Sequence, residues 1–530
     1  MFHRLAPLRH VIRGALLCFF LLFLGADGMA QGGYSKQDFP RFGLKGLPVP
    51  KRWVPVPIPP TEEHVVLGWA EKVPGEKDRQ ERRSLRPTLE VVLVNIDPDA
   101  VDESSTAGKV GRGRAINSVE TYLGSVSSRG GWESVRGTEA LDPVEGRQRY
   151  IREYIYDSGQ RTNSRSITRA GWVFEWRSET QVLFFFGQCA EEDSEEMIKI
   201  WRHMATKLKL VEPKEPDLSK WVRYYEKHPR LRGAEFRLAV RARMSGLKGW
   251  KIEDTENYML LYSTKDQALI RLLKRELEAI RRAYEGLFPT PEPLDVVSVL
   301  RVCKDRDEYT AYGGPPRSGG YWSPGAEELV FFDYEDVDRE AGSGKANSRV
   351  VLYHEAFHQY VHYAAGDIAP HSWFNEGTGD YFSGVRFDGT GAVSAIAANP
   401  WRLETSIDIV KRKRAMELDD LFTASQRKYY TNGGPNYAQG WSLVYFLLTS
   451  GVVAKRPEWA KIHPLYYSTL QAEWGVQRAE LEAEDLLDDR EAYLGAQEGA
   501  RDAALEAALE GVDVNELQKA WKAFVLDLED

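Results

Sequence analysis

The sequence predicts an α+β protein: a small N-terminal α+β domain, then a larger one with a mixed sheet, a central helix and a mainly helical C-terminal part. Three observations lead there. Short β-branched and aromatic runs dominate 89–210, stripes at helical spacing dominate 348–530, and strand-like runs flank one long amphipathic helix in between. At 530 residues two or three domains are expected rather than one core. Hydrophobic content of 42% and charged content of 28% are those of a globular protein. A formal charge of −9, with no phosphate-cradling loop motif, argues against a nucleic-acid partner.

Arg4, Arg9 and Arg13 precede the apolar run Ala15–Ala26, which closes on Gly28-Met29-Ala30. This pattern predicts a secretory signal peptide over 1–30, with a mature start near Gln31. The apolar run is shorter than the ~20 residues a bilayer span requires. No stable membrane span is therefore expected after cleavage, and the chain is expected to be exported to the periplasm, the cell envelope or the medium. Cys18 lies inside the run, which argues against lipid attachment. Cys189 and Cys303 are expected to be buried free thiols and not a disulfide framework.

Residues 31–88 read as an extended, Pro-rich lead-in, with Pro55-Val56-Pro57-Ile58-Pro59-Pro60 as its densest part. The small domain is placed at 89–210. Its strands are read at 89–94, 150–156, 171–176 and 182–186, and Met197, Trp201, Met204, Ala205 and Leu208 mark a closing helix. In this it resembles PsbP-like modules, and its residues suggest no chemistry. Residues 211–217 form a charged, Pro-bearing linker.

The larger domain is placed at 218–530. Tyr258–Tyr262 and Val296–Val302 read as strands, separated by a long helix carrying Leu269, Leu273, Leu277, Ile280 and Tyr284 and stopped by Pro289. Gly319–Trp322 and Leu329–Phe332 suggest a hairpin about Pro324-Gly325. The second strand is either an edge that an extended peptide could join or an interior strand. Asp513 is placed to cap a last helix whose apolar face holds Leu517, Trp521 and Val525. The Ala- and Glu-rich stretch 478–512 reads as a solvated helical surface.

Chemistry concentrates at His354-Glu355-Ala356-Phe357-His358 and Asn375-Glu376-Gly377-Thr378-Gly379-Asp380. A helix puts residues four apart on one face, so both imidazoles can converge on one metal ion, with Glu355 beside it to take a proton from water. Glu376 is the preferred third ligand, leaving one position open. Asp380, four residues on, faces the same way and can accept the outer ring proton of a ligating histidine. His362 continues the series but lies ~6 Å further along the helix. His371, in the connecting loop, is an alternative ligand or a substrate contact. Tyr437, after a Gly-Gly-Pro turn, is a candidate donor to the oxyanion that hydrolysis creates, or else a packing aromatic.

These motifs resemble those of the gluzincin (MA-type) zinc metallopeptidases, and among them bacterial peptidase-MA-like domains, over roughly 250–530. The resemblance implies a zincin-like catalytic domain with Zn2+ on His354, His358 and Glu376, Glu355 as general base, and Asp380 behind a ligand. The metzincin pattern is excluded, since Val361 and Ala364 stand where it needs Gly and His. The expectation is an exported zinc metallopeptidase acting on a peptide or protein. The alternatives are a zinc hydrolase of a non-peptide amide or ester, and a cell-envelope binding protein with a structural metal.

Overall fold

The computed structural model describes residues 33–528, apart from 57, 60–61, 73–85, 97–115, 127–130, 136, 163–164, 248, 316–317, 334–343 and 488. The expected signal peptide and mature start lie outside the described residues. The architecture is α+β, as the sequence predicts.

The N-terminal part contains β1 (Tyr34–Phe39), β2 (Leu44–Pro50), β3 (Trp53–Pro55), β4 (Val65–Glu71), β5 (Thr88–Asn95), α1 (Val119–Ser125), β6 (Trp132–Ser134), β7 (Glu139–Val144), β8 (Arg147–Thr162), β9 (Arg165–Arg177), β10 (Gln181–Ala190), α2 (Ser194–Lys207) and β11 (Lys209–Leu210). Among the described residues one antiparallel sheet runs β3-β4-β5-β10-β9-β8-β6, with β7 also on β8, and a smaller one runs β1-β2-β11. Strand β10 is apolar on both faces because both are covered. Leu183 and Phe185 meet Met197, Trp201 and Met204 of α2, while Phe184 and Phe186 meet Tyr122 and Leu123 of α1.

The Pro-rich stretch departs from expectation. It is no lead-in: β1 to β4 belong to this domain, and Leu44, Leu47, Trp53, Leu67 and Trp69 fill its core. Its prolines are compatible with strands because they sit where no partner needs their N–H. Pro48 and Pro50 of β2 lie beyond Leu44 and Lys45, the two residues that β11 pairs.

The following part comprises α3 (Ser219–Lys227), α4 (Ala234–Met244), β12 (Lys251–Asp254), β13 (Tyr258–Tyr262), α5 (Gln267–Leu287), β14 (Ser298–Cys303), α6 (Arg306–Ala311), β15 (Gly320–Ser323) and β16 (Glu328–Phe332). Its sheet runs β12-β13-β14-β16-β15, parallel through β13, β14 and β16 and antiparallel at both edges. Leu329–Phe332 is thus interior, and the edge belongs to β15. Asp266 caps α5 by accepting from the N–H groups of Ala268 and Leu269. The sheet's inner face packs on α5 and α7 (Gly344–Ala364), and its outer face packs on α4 through Val240 and Met244.

The remainder is helical apart from one hairpin: α8 (Ser372–Phe382), β17 (Val385–Phe387), β18 (Val393–Ile396), α9 (Pro400–Lys411), α10 (Leu418–Phe422), α11 (Gln426–Thr431), α12 (Gly433–Thr449), α13 (Pro457–Ala460), α14 (Ile462–Ala483), α15 (Arg490–Leu509) and α16 (Val514–Asp527). Asp513 caps α16 as expected, and Leu517, Trp521 and Val525 enter the common core. Cys189 and Cys303 are buried and unpaired. Among the described residues no helix is long and apolar enough to cross a membrane.

Trp521 is fully buried, and its indole N–H donates to Ser442 Oγ at 3.1 Å. Trp521→Ala is expected to destabilise the helical part by about 3–5 kcal/mol, read as a lowered midpoint of its urea-unfolding transition.

Candidate metal centre

Helix α7 runs beneath the sheet edge, with Leu352 and Phe357 buried in the core and His354, His358 and Val361 on the cleft-facing side. Helix α8 crosses it and brings Glu376. The two Nε2 atoms lie 2.9 Å apart, and Glu376 Oε2 is 3.1 Å from His354 Nε2 and 3.6 Å from His358 Nε2. Ligands ~2.0–2.1 Å from a tetrahedral ion stand about 3.3 Å from one another. The three atoms therefore have the spacing of three corners of such a site, and this group could hold a metal ion.

The outer ring nitrogens fix what those corners offer. His358 Nδ1 faces Asn375 Oδ1 at 3.0 Å, and His354 Nδ1 faces Asp380 Oδ1 at 3.3 Å. Both oxygens accept, so each ring carries its proton on Nδ1 and turns a bare Nε2 inward. In that tautomer two lone pairs and a carboxylate oxygen converge with no donor among them. A cation removes that repulsion. The same field acts on protons. Burial disfavours a charged His354, but the hydrogen bonds and charges of Asp380 and Glu376 hold its pKa well above the ordinary value. Burial likewise raises the Glu376 carboxyl, yet His358 and His354 bring it well below the ordinary range.

Glu355 sits beside the group and lines the same cleft. Its Oε2 accepts the N–H of Trp322 at 2.9 Å, so the edge strand β15 fixes its position. Burial raises its carboxyl above the usual value, with His358 and His354 working against the shift. Asp380 is itself held, since Arg402 Nε donates to its Oδ2 at 2.7 Å and Asn399 Nδ2 to its carbonyl oxygen at 3.0 Å.

Two glycines let α8 approach on both sides. A Cβ on Gly379 would stand 2.8 Å from His354 Nδ1, and one on Gly377 would stand 2.5 Å from the Gly440 carbonyl oxygen of α12.

Tyr437 lies in the second turn of α12 and lines the cleft, its ring stacked on His354 with centroids 6.4 Å apart. Tyr430 is a contributor that the sequence reading missed: its hydroxyl donates to Glu376 Oε1 at 2.5 Å. Asn375 and Arg402 were missed as well. Asn375 stands in the motif and was legible there, whereas nothing in the spacing of Tyr430 or Arg402 pointed to them. His371 is a correction. It stands at the N-cap position of α8 without a side-chain capping bond, and its Nδ1 meets the Tyr466 hydroxyl at 2.9 Å, outside the metal group and the cleft lining. His362 also stays out of the triad, paired to Asp367 at 3.1 Å.

The cleft has a volume of about 580 Å³, and its lining residues all fall between Trp322 and Gln497. A separate cavity of about 630 Å³, between Val54–Arg86 and Gly249–Ala311, contains no histidine.

No protein-family model matches the sequence, and no curated protein matches it. Among solved structures, cyanobacterial PsbP (CyanoP) from Synechocystis sp. PCC 6803 is similar over 34% of this chain and 95% of its own, at 15% identity and a TM-score of 0.24. LpqN, involved in cell envelope biogenesis of Mycobacterium tuberculosis, is similar over 34% of this chain and 89% of its own, at 13% identity and a TM-score of 0.21. Scores this low support no statement about the activity of this chain.

Gly379→Ala is expected to displace the His354 ring from its place over α8. Gly434→Ala is the control, since a Cβ there meets nothing within 4 Å. Crystal structures of the two variants check the difference.

Proposed function

We propose that the chain is an exported zinc-dependent metallopeptidase of gluzincin type. The observation that carries the reading is the convergence of His354 Nε2, His358 Nε2 and Glu376 Oε2, three acceptors within 3.6 Å, beside a carboxylate that is not part of the triad. A purely structural site has no use for Glu355. Export rests on the N-terminal apolar run.

Zinc held by these three residues would supply Lewis acidity, polarising a carbonyl and bringing a water's pKa toward ~7. The chain's own residues do the rest. Glu355, positioned by the Trp322 N–H, accepts the proton of the attacking water and delivers it to the departing amine. Tyr437, which lines the cleft, is the hydroxyl donor available to the developing oxyanion, while the Tyr430 hydroxyl beside it is engaged by Glu376 Oε1. Burial, and next the Glu376 charge, push both hydroxyls above the ordinary tyrosine value, so each keeps its proton to donate. The outer edge of β15 lies along the cleft at Trp322, where an extended peptide can add as a further strand.

Glu355→Gln is expected to keep its zinc and lose hydrolysis of casein or a peptide library, as read by metal analysis beside the digestion. Full activity in this variant sinks the mechanism.

Zinc affinity is expected to rank the surrounding residues. Glu376→Ala loses most. Asp380→Ala and Asn375→Ala lose on the order of 10–100-fold, because each orients a ligand. His371→Ala stays near wild type. Competition with a chelating dye gives the order, and loss of zinc in His371→Ala with retention in Glu376→Ala would overturn the ligand assignment.

A further inference from the structure

The cleft does not end at the metal triad. It continues past the C-terminal end of α7, where Trp322, Glu327, His362, Asp367 and Tyr493 line it. His362 lies one helical turn, about 6 Å, beyond His358. Among the described lining residues there are four carboxylates and no lysine or arginine. Glu355 and Glu376 belong to the chemistry already described, which leaves Glu327 and Asp367.

These two differ in what answers their charge. Asp367 Oδ1 meets His362 Nε2 at 3.1 Å, and its Oδ2 meets Arg478 at 3.4 Å. Glu327 accepts a hydrogen bond from the Tyr363 hydroxyl at 3.3 Å and has no cationic partner among the described residues. His362 does not supply one. Its Nε2 is turned to Asp367, and burial lowers its pKa against the pull of Asp367 and Glu327. A half-buried carboxylate therefore faces a walled cavity that is continuous with the metal centre and carries no counter-ion. The wall beside it is aromatic: the Trp322 ring lies 5.9 Å from that of Tyr363 and 5.4 Å from that of His362.

We propose that this end of the cleft is a subsite for a cationic side chain, lysine or arginine, of an extended substrate, with Glu327 as its counter-ion. The methylenes of such a side chain pack on Trp322 while its charged head reaches the carboxylate. The proposal rests on the peptidase reading for the identity of the substrate. The missing counter-charge at Glu327 stands apart from that reading.

The test uses the zinc-loaded full chain and quenched peptides scanned with Lys, Arg, Gln, Glu and Leu at each of three positions on either side of the scissile bond. At one position Lys and Arg are expected to exceed Gln and Leu by about tenfold in kcat/KM, the size of one charge-assisted hydrogen bond. Glu327→Gln is expected to abolish that ratio and Glu327→Lys to invert it toward Glu. Binding of the best Lys peptide to the Glu355→Gln protein, measured by calorimetry, reads the subsite without turnover and should weaken by a similar factor when Glu327→Gln is added. Peptide cleavage with no cation preference, or a preference that survives Glu327→Gln, overturns the subsite and leaves the peptidase reading standing. Failure to cleave any peptide, with Lys-peptide binding that depends on Glu327, overturns the peptidase reading and leaves the subsite standing.

Discussion

Three groups that each offer a lone pair meet within 3.6 Å inside the protein, and much of the C-terminal half holds them there. Each is tied on its far side: His354 by Asp380, His358 by Asn375 and Glu376 by Tyr430. Those ties need α8 to be close and immobile. Thr378 meets the buried His463 at 3.2 Å, and Gly377 lets α12 lie directly against the helix. Burial alone takes the His463 pKa down to about 3, so α8 is braced by a neutral ring and no charge is added beneath the site.

How much of this was legible in the sequence depends on how local the cause is. The histidine pair, Glu376 and Asp380 lie at helical spacings, and helical geometry fixes which of them share a face. The caps Asp266 and Asp513 and the stripe along α5 are local in the same sense. Tyr430 and Arg402 are not. One reaches Glu376 from 54 residues away and the other reaches Asp380 from 22 away. Only the packing of α9 and α11 onto α8 brings them in. His371 was misread for the converse reason: its nearness in sequence to the motif said nothing of its ring, which turns to Tyr466 on α14. The strands of 34–71 were hidden because proline density was read without knowing which strand edges stay unpaired.

Charge is distributed unevenly about the centre. Arg402 stands behind Asp380 with its guanidinium 4.9 Å from the Tyr437 ring centroid, and it does not line the cleft. The positive charge that steadies the carboxylate network thus lies on the protein side, while the described lining residues include no lysine or arginine. A cation entering from solvent, whether a metal ion or a side chain, meets carboxylates first.

The N-terminal domain joins the other from behind. Arg86 donates to the carbonyl oxygens of Thr310 and Ala311, Arg243 to that of Pro59, and Arg301 to that of Ile58. Among the described residues, none of that domain lines the cleft. Its contact with Arg301 still matters. Arg301 on β14 and Glu328 on β16 form an ion pair with both side chains fully buried, which is tolerable only if their remaining hydrogen-bonding groups find partners. The Ile58 carbonyl is one of those partners, and the Tyr312 hydroxyl is another. Glu328 is also the first residue of β16, next to Glu327, and it pairs with Ser323 of the edge strand. The N-terminal segment therefore adds one acceptor to the polar shell at the root of the hairpin that carries Trp322 and Glu327, although Arg301 Nη1 is buried with no partner among the described residues.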